Sequence, residues 1–170
     1  GAYGNDGTVS NAGHVRVYSW NGTLWSQLGV DINGEAADDY SGWSVSLSSD
    51  GTILAIGAYG NDGTVSNAGH VRVYKNISGT WTQLGADIDG EAASDYSGYS
   101  VSLSSDGTKV AIGAHYNDGN GSYSGHVRVY QYSDSSWTQL GADIDGEAAN
   151  DNSGTSVSLS SYGTKVAIGA

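Results

Sequence analysis

The stretch Ser41 to Ala58, SGWSVSLSSDGTILAIGA, decides the fold. Val45 and Leu47 alternate with Ser44, Ser46 and Ser48, a period of two that sends apolar and small polar side chains to opposite faces of a strand. Ser49-Asp50-Gly51 then supplies a tight turn, and Ile53 to Ala58 runs back as a nearly all-apolar strand. The whole reads as a β-hairpin. It recurs as SGYSVSLSSDGTKVAIGA from Ser97 to Ala114 and as SGTSVSLSSYGTKVAIGA from Ser153 to Ala170.

The repetition extends along the chain. GAYGNDG at Gly1 returns at Gly57 and, altered to GAHYNDG, at Gly113, while Gly169-Ala170 opens a fourth copy. The period is therefore 56 residues, with repeats 1–56, 57–112 and 113–168 in a single array spanning 1–170. Gly1–Tyr18 and Gly57–Tyr74 are identical. Each repeat reads as four strands. HVRVY (His14 to Tyr18) is followed by a turn at Asn21-Gly22, a strand from Trp25 to Leu28, an acidic connection from Asp31 to Gly42, and then the hairpin. No segment keeps a helical period.

Four short antiparallel strands per unit of this length predict an all-β fold, a β-propeller built of 56-residue, four-stranded blades. A β-solenoid is the rival, but its coils are shorter and lack repeated hairpin turns. The first strands are the outer pair of a blade and the last are an inner pair, an offset suited to a "velcro" closure. Three blades are too few to close a ring, since propellers have about four or more. The expected partner is a second copy completing a six-bladed homodimer, or the remaining blades of a longer parent chain.

Composition narrows the functional classes. The chain has no Phe, Pro, Met or Cys, and 27 of its 170 residues are Gly. No disulfide framework is available. Eighteen carboxylates face six basic side chains, a net charge of −12, which disfavours nucleic acid and anionic lipid as partners. No stretch approaches the roughly 20 apolar residues of a membrane-spanning helix, and no signal peptide is visible. The chain opens on Gly1 without an initiator Met, as expected of a processed product or an excised segment.

The run WTQLGADIDGEAASDYSGYSVSLSSDGTKVAIGA (Trp81 to Ala114), followed by GHVRVY (Gly125 to Tyr130), resembles the FG-GAP repeat of integrin α-subunit propellers and of many surface proteins. Ser41-Gly42, Ser97-Gly98 and Ser153-Gly154 stand at the FG position, and Gly-Ala is followed by Tyr59 or His115 at the GAP position. The resemblance implies an extracellular or cell-surface propeller used in adhesion, recognition or structure, and seldom an enzyme. On that basis a non-enzymatic module with a protein or glycan ligand is expected. A structural self-assembling repeat protein and a lectin-like, carbohydrate-binding propeller are the alternatives.

Several constellations are candidates for chemistry. Asp31, Asn33, Glu35 and Asp39 recur as Asp87, Asp89, Glu91, Asp95 and as Asp143, Asp145, Glu147, Asp151. Oxygens at loop positions 1, 3, 5 and 9 could wrap Ca²⁺, which takes six to eight oxygen ligands. The other reading is a solvated acidic turn, with Asp39 and its equivalents capping backbone N–H groups. Integrin-type blades carry a similar acidic loop, but between the two inner strands. His14 and Arg16, with His70, Arg72, His126 and Arg128, predict a structural network, because a partly buried arginine needs a carboxylate partner. The aromatics Trp43, Tyr99, Tyr59 and Tyr116 fall where loops share a rim and are candidate sugar-stacking residues. Asn21, Asn76 and Asn120 each begin a glycosylation sequon in a predicted loop. No nucleophile motif, phosphate loop or catalytic carboxylate pair stands out, so catalysis is not expected.

Overall fold

The computed structural model describes residues 1–7 and 9–170. They form an all-β structure, with no helix among them. The first repeat contributes β1 (His14–Val15), β2 (Tyr18–Trp20), β3 (Trp25–Gln27), β4 (Ile32–Asn33), β5 (Ser44–Leu47) and β6 (Ile53–Ala58). The second contributes β7 (His70–Ile77), β8 (Thr80–Gln83), β9 (Ile88–Asp89), β10 (Ser100–Leu103) and β11 (Lys109–Ala114). The third contributes β12 (His126–Ser133), β13 (Ser136–Gln139), β14 (Ile144–Asp145), β15 (Ser156–Leu159) and β16 (Val166–Gly169).

Ten of these strands make two antiparallel five-stranded sheets, and the rest form the two-stranded pairs β1-β4, β2-β3 and β15-β16. One five-stranded sheet has the order β5-β6-β7-β8 with β9 on β7, and the other has β10-β11-β12-β13 with β14 on β12. Each sheet straddles a repeat boundary, taking its hairpin from one repeat and its outer strands from the next. The short strands β4, β9 and β14, inside what the sequence reads as an acidic connection, pair with β1, β7 and β12. They were not legible because two residues carry no periodicity.

Neighbouring sheets approach through serine and glycine. The Ser44 hydroxyl donates to Gly98 O at 2.7 Å, and the Ser46 hydroxyl accepts from Leu103 N at 3.0 Å. One repeat later Ser100 donates to Gly154 O and Ser102 accepts from Leu159 N. Ser49 N donates to Ser105 O, and Ser105 N to Ser161 O. Apolar residues of β6 and β7 share the serine face, because Ala55 pairs with both Ser46 and Val73, and others fill the reverse face. Ile53, Ala55, Val71, Val73 and Ile88 bury against Leu103, Val110 and Ile112, while Val15, Val17 and Ile32 bury against Leu54, Ile56 and Tyr74. Indole N–H groups pin the outer rim, with Trp81 donating to Leu28 O and Trp137 to Leu84 O.

One expectation is corrected by this packing. HVRVY opens one continuous eight-residue strand in β7 and in β12, but in the first repeat the same sequence splits between β1 and β2. The reason is the neighbour, because β7 lies along β6 whereas β1 and β2 have no inner strand beside them. The neighbour also decides burial: Leu47 is 49% exposed while its equivalent Leu103 is 7% exposed, since β10, unlike β5, has a preceding inner pair to cover it.

The close approach yields a test. A Cβ on Gly57 would stand 2.0 Å from Gly98 O and 2.3 Å from the Ser44 hydroxyl. Gly57→Ala is expected to cost ~3 kcal/mol in urea unfolding, the upper end of overpacking. Gly79→Ala, at φ +89° with nothing within 4 Å, should cost only ~1 kcal/mol, the backbone penalty alone. Equal losses would show that the sheets can spread at Gly57.

Candidate functional site

The acidic loops meet the histidine–arginine strands at the junctions between sheets. Arg16, Arg72 and Arg128 sit two residues after a buried histidine on β1, β7 and β12, so each pair shares one face. Arg128 donates from Nε to Asp143 Oδ1 at 2.8 Å and from Nη2 to Asp143 Oδ2 at 2.6 Å, and Nη2 also contacts Glu91 of the preceding repeat. Gln139 donates to Asp143 Oδ1 at 2.7 Å. At the preceding junction Arg72 bonds Glu35 at 2.9 Å and donates to Asn33 O. Arg16 makes a two-point pair with Asp31, supported by Gln27. The sequence-predicted arginine–carboxylate network is therefore present. What the sequence did not disclose is that Glu35 and Glu91 reach into the next sheet.

The electrostatics follow the contacts. Hydrogen bonding by Arg128 holds the Asp143 carboxyl down to about 2, and the Arg16 bond holds Asp31 down to about 2. Burial, then the Arg72 charge, pushes His70 down to about 4. Burial and Arg128 likewise lower His126. Both imidazoles are neutral at pH 7.

Asp39, Asp95 and Asp151 close the acidic turn instead of facing a common centre. Asp39 accepts from Glu35 N and Ala36 N, Asp95 from Ala92 N, and Asp151 from Ala148 N. Asp39 and Asp95 are buried and also accept from Asn61 and Asn117 of the next GNDG or YNDG turn. The 56-residue recurrence of Asn5, Asn61 and Asn117 is the signal that could have found this bond. Asn33, Asp89, Glu147 and Asp145 are exposed. The calcium loop expected from positions 1, 3, 5 and 9 is thus not assembled: position 1 pairs with arginine in the first and third loops and with Gln83 beside His70 in the second, position 9 caps backbone, and position 5 of the first two loops crosses the junction. These residues do not fit a calcium loop.

The aromatics do converge. Trp43 meets Tyr3, Tyr59 and Tyr99 with ring centroids 4.7, 4.9 and 5.4 Å apart, and Tyr99, His115, Tyr116 and Tyr123 continue the row. Trp43, Tyr59 and Tyr99 are half-buried, and Tyr116 is exposed. Their packing spans successive sheets, so the row serves cohesion as well as presenting ring surface. Of the three sequons, Asn21 lies in an exposed turn. Asn76 is instead within β7 with its amide nitrogen buried, which corrects its placement in a loop. The Asn120 amide donates to Gly146 O at 2.8 Å.

Comparison with known proteins places this arrangement in a class of antiparallel tandem-repeat β proteins. The FG-GAP repeat family matches residues 33–74 and 86–130, and the chain belongs to that family. No curated protein sequence matches the chain. Among solved structures, a candidate 6-phosphogluconolactonase from Bacteroides uniformis is similar at 11% identity and TM-score 0.62, over 93% of this chain and 41% of that one. A candidate 6-phosphogluconolactonase from Bacteroides fragilis is similar at 12% identity and TM-score 0.57, over 99% and 40%. The periplasmic gluconolactonase of Pseudomonas aeruginosa is similar at 19% identity and TM-score 0.50, over 85% and 39%. The chain spans about two fifths of the length of these structures. At such identities the likeness shows the fold alone. It nevertheless corrects the expectation of a non-enzymatic adhesion, structural or lectin-like module, because the proteins sharing this fold are named as enzymes.

His115 provides a pH test. Burial lowers it to about 4 from an ordinary value of about 6.5. Between these values the unfolded chain binds a proton that the folded chain does not, so stability falls as pH drops from 6.5 to 4. Tyr59 occupies the same repeat position, which makes His115→Tyr a compatible replacement. The urea midpoint of H115Y is expected to fall less between pH 7.5 and 4.5 than that of the parent. Equal falls would show that His115 is not held neutral.

Proposed function

We propose that the two five-stranded sheets are blades of a β-propeller, and that the protein hydrolyses a sugar-derived lactone. The observation that carries the reading is the junction cluster of Glu91, Arg128 and Asp143. Lactone hydrolysis needs a base to take a proton from the attacking water and a cation beside the carbonyl oxygen as it gains charge. Glu91 is 44% exposed in its side chain and touches Arg128, which is fixed by Asp143. Asp143, held down to about 2, is a poor proton acceptor and serves as the anchor. Glu91 is the base and Arg128 the cation. The names of the solved neighbours support the substrate class.

The field of the chain selects within that class. A net charge of −12 repels a phosphorylated lactone and leaves a neutral one unaffected. Glucono-δ-lactone is therefore favoured over its 6-phosphate. Hydrolysis followed with a pH indicator against the spontaneous rate tests this. The expected result is acceleration by the chain, at least tenfold higher kcat/KM for the neutral lactone, and at least a tenfold loss in Glu91→Gln. No acceleration would overturn the reading.

The edges of the array are complementary under the same fold. In the register that β6 uses on β7, with Ala55 opposite Val73 and Ile56 opposite Arg72, β16 would set Ala167 opposite Val17 and Ile168 opposite Arg16. A second copy or further chain supplies that pairing. Light scattering on the isolated chain is expected to give twice 17.4 kDa, and a stable monomer would rule out closure by a second copy.

A further inference from the structure

Glu91, His126 and Asp143 each aim one ligand atom into a common space, with all three atoms within 4.8 Å of one another. His126 Nδ1 lies 3.7 Å from Asp143 Oδ2 and 4.0 Å from Glu91 Oε1. That nitrogen is buried without a hydrogen-bond partner, on a side chain only 4% exposed. A buried polar atom with no partner is costly, and in a native protein calls for an occupant. We propose that this junction binds a divalent transition-metal ion of the zinc type through His126 Nδ1, Glu91 and Asp143, and that Glu35, His70 and Asp87 form a second such site one repeat earlier.

The donor set selects the metal. One imidazole with two carboxylates suits Zn²⁺, Co²⁺ or Mn²⁺, whereas Ca²⁺ wants an all-oxygen shell of six to eight. Ligand atoms around a tetrahedral Zn²⁺, bonded at about 2.0–2.2 Å, stand about 3.4 Å apart. The spacings of 3.7 and 4.0 Å from His126 Nδ1, and a third within 4.8 Å, place the three donors around one ion that draws the two carboxylates inward. Three protein ligands leave one position open to water or substrate.

The surrounding polar groups form the outer shell that such carboxylates require. Arg128 and Gln139 bond Asp143, Arg128 also holds the other Glu91 oxygen, and Asn117 donates to Glu91 Oε1 at 3.1 Å. Three carboxylates (Glu91, Asp95 and Asp143) against the Arg128 guanidinium leave two negative charges, which a divalent ion balances. The neutral state of His126 keeps its lone pair available.

The site shares Glu91 and Asp143 with the lactone reading, and a bound ion engages the oxygen that otherwise serves as base, so the test reads metal alone and its failure leaves that reading to its own assay. The tag-free 170-residue chain is titrated with ZnSO₄ by calorimetry and with CoCl₂ by visible absorption. The expected result is two saturable sites per chain and a Co²⁺ d–d band, unaffected by millimolar Ca²⁺. His126→Gln should remove one site. Glu91→Gln, at a partly exposed position and therefore compatible with folding, should weaken one site at least tenfold while the circular dichroism spectrum stays unchanged. Absence of the d–d band would overturn the proposal. So would Zn²⁺ binding that Glu91→Gln leaves unaltered, which would mark diffuse attraction to an acidic surface.

Discussion

The structure depends on how closely one inner strand can approach the next. Ser44 and Ser46 give hydrogen bonds across the gap, and Gly57 leaves no atom in the way. A serine hydroxyl donates and accepts with one short arm, so it can satisfy backbone groups of a neighbouring sheet at nearly backbone distance. Longer side chains there would push the sheets apart and strand those groups without partners. Strands β5, β10 and β15 are thus serine on the approach face and valine or leucine on the other. Everything outside the inner pair, from the indole bonds to the acidic turns, is positioned by that spacing.

A second layer of order comes from the charged junctions. Arg128 on β12 is held between Glu91 and Asp143, carboxylates of two repeats, and Arg72 on β7 reaches back to Glu35 of the preceding one, so each junction is braced by an ion pair that crosses it. A buried arginine with one partner removed leaves an uncompensated charge, which is far more costly than loss of a surface pair. Arg72, 6% exposed, is the deepest example, and its carboxylate partner Glu35 comes from the preceding repeat. The neutral histidines beneath Arg72 and Arg128 keep those clusters from gaining a second positive charge at pH 7.

Most of the fold was legible because the repeat displays its pattern three times. The hairpin alternation, the 56-residue period and the need of Arg16, Arg72 and Arg128 for carboxylates all read directly from residues. Loop geometry did not. Asp31, Glu35 and Asp39 have metal-loop spacing, yet spacing along a chain says nothing about which direction each side chain leaves a turn. Gly1–Tyr18 and Gly57–Tyr74 carry the limit furthest, since identical residues give two short strands in one place and one long strand in the other. Local sequence sets the preference for a strand, and a paired neighbour decides its length. The fold's enzyme-like relatives were hidden for a different reason, since 11–19% identity leaves no shared motif to read.

Because each sheet takes two long strands from one repeat and two from the next, the unit that duplicates and the unit that folds are out of phase by half a period. Loss or gain of one 56-residue copy therefore never severs a hairpin from its turn or leaves a new kind of edge. Array length can therefore change by whole repeats while every interface in the product is one the protein already makes.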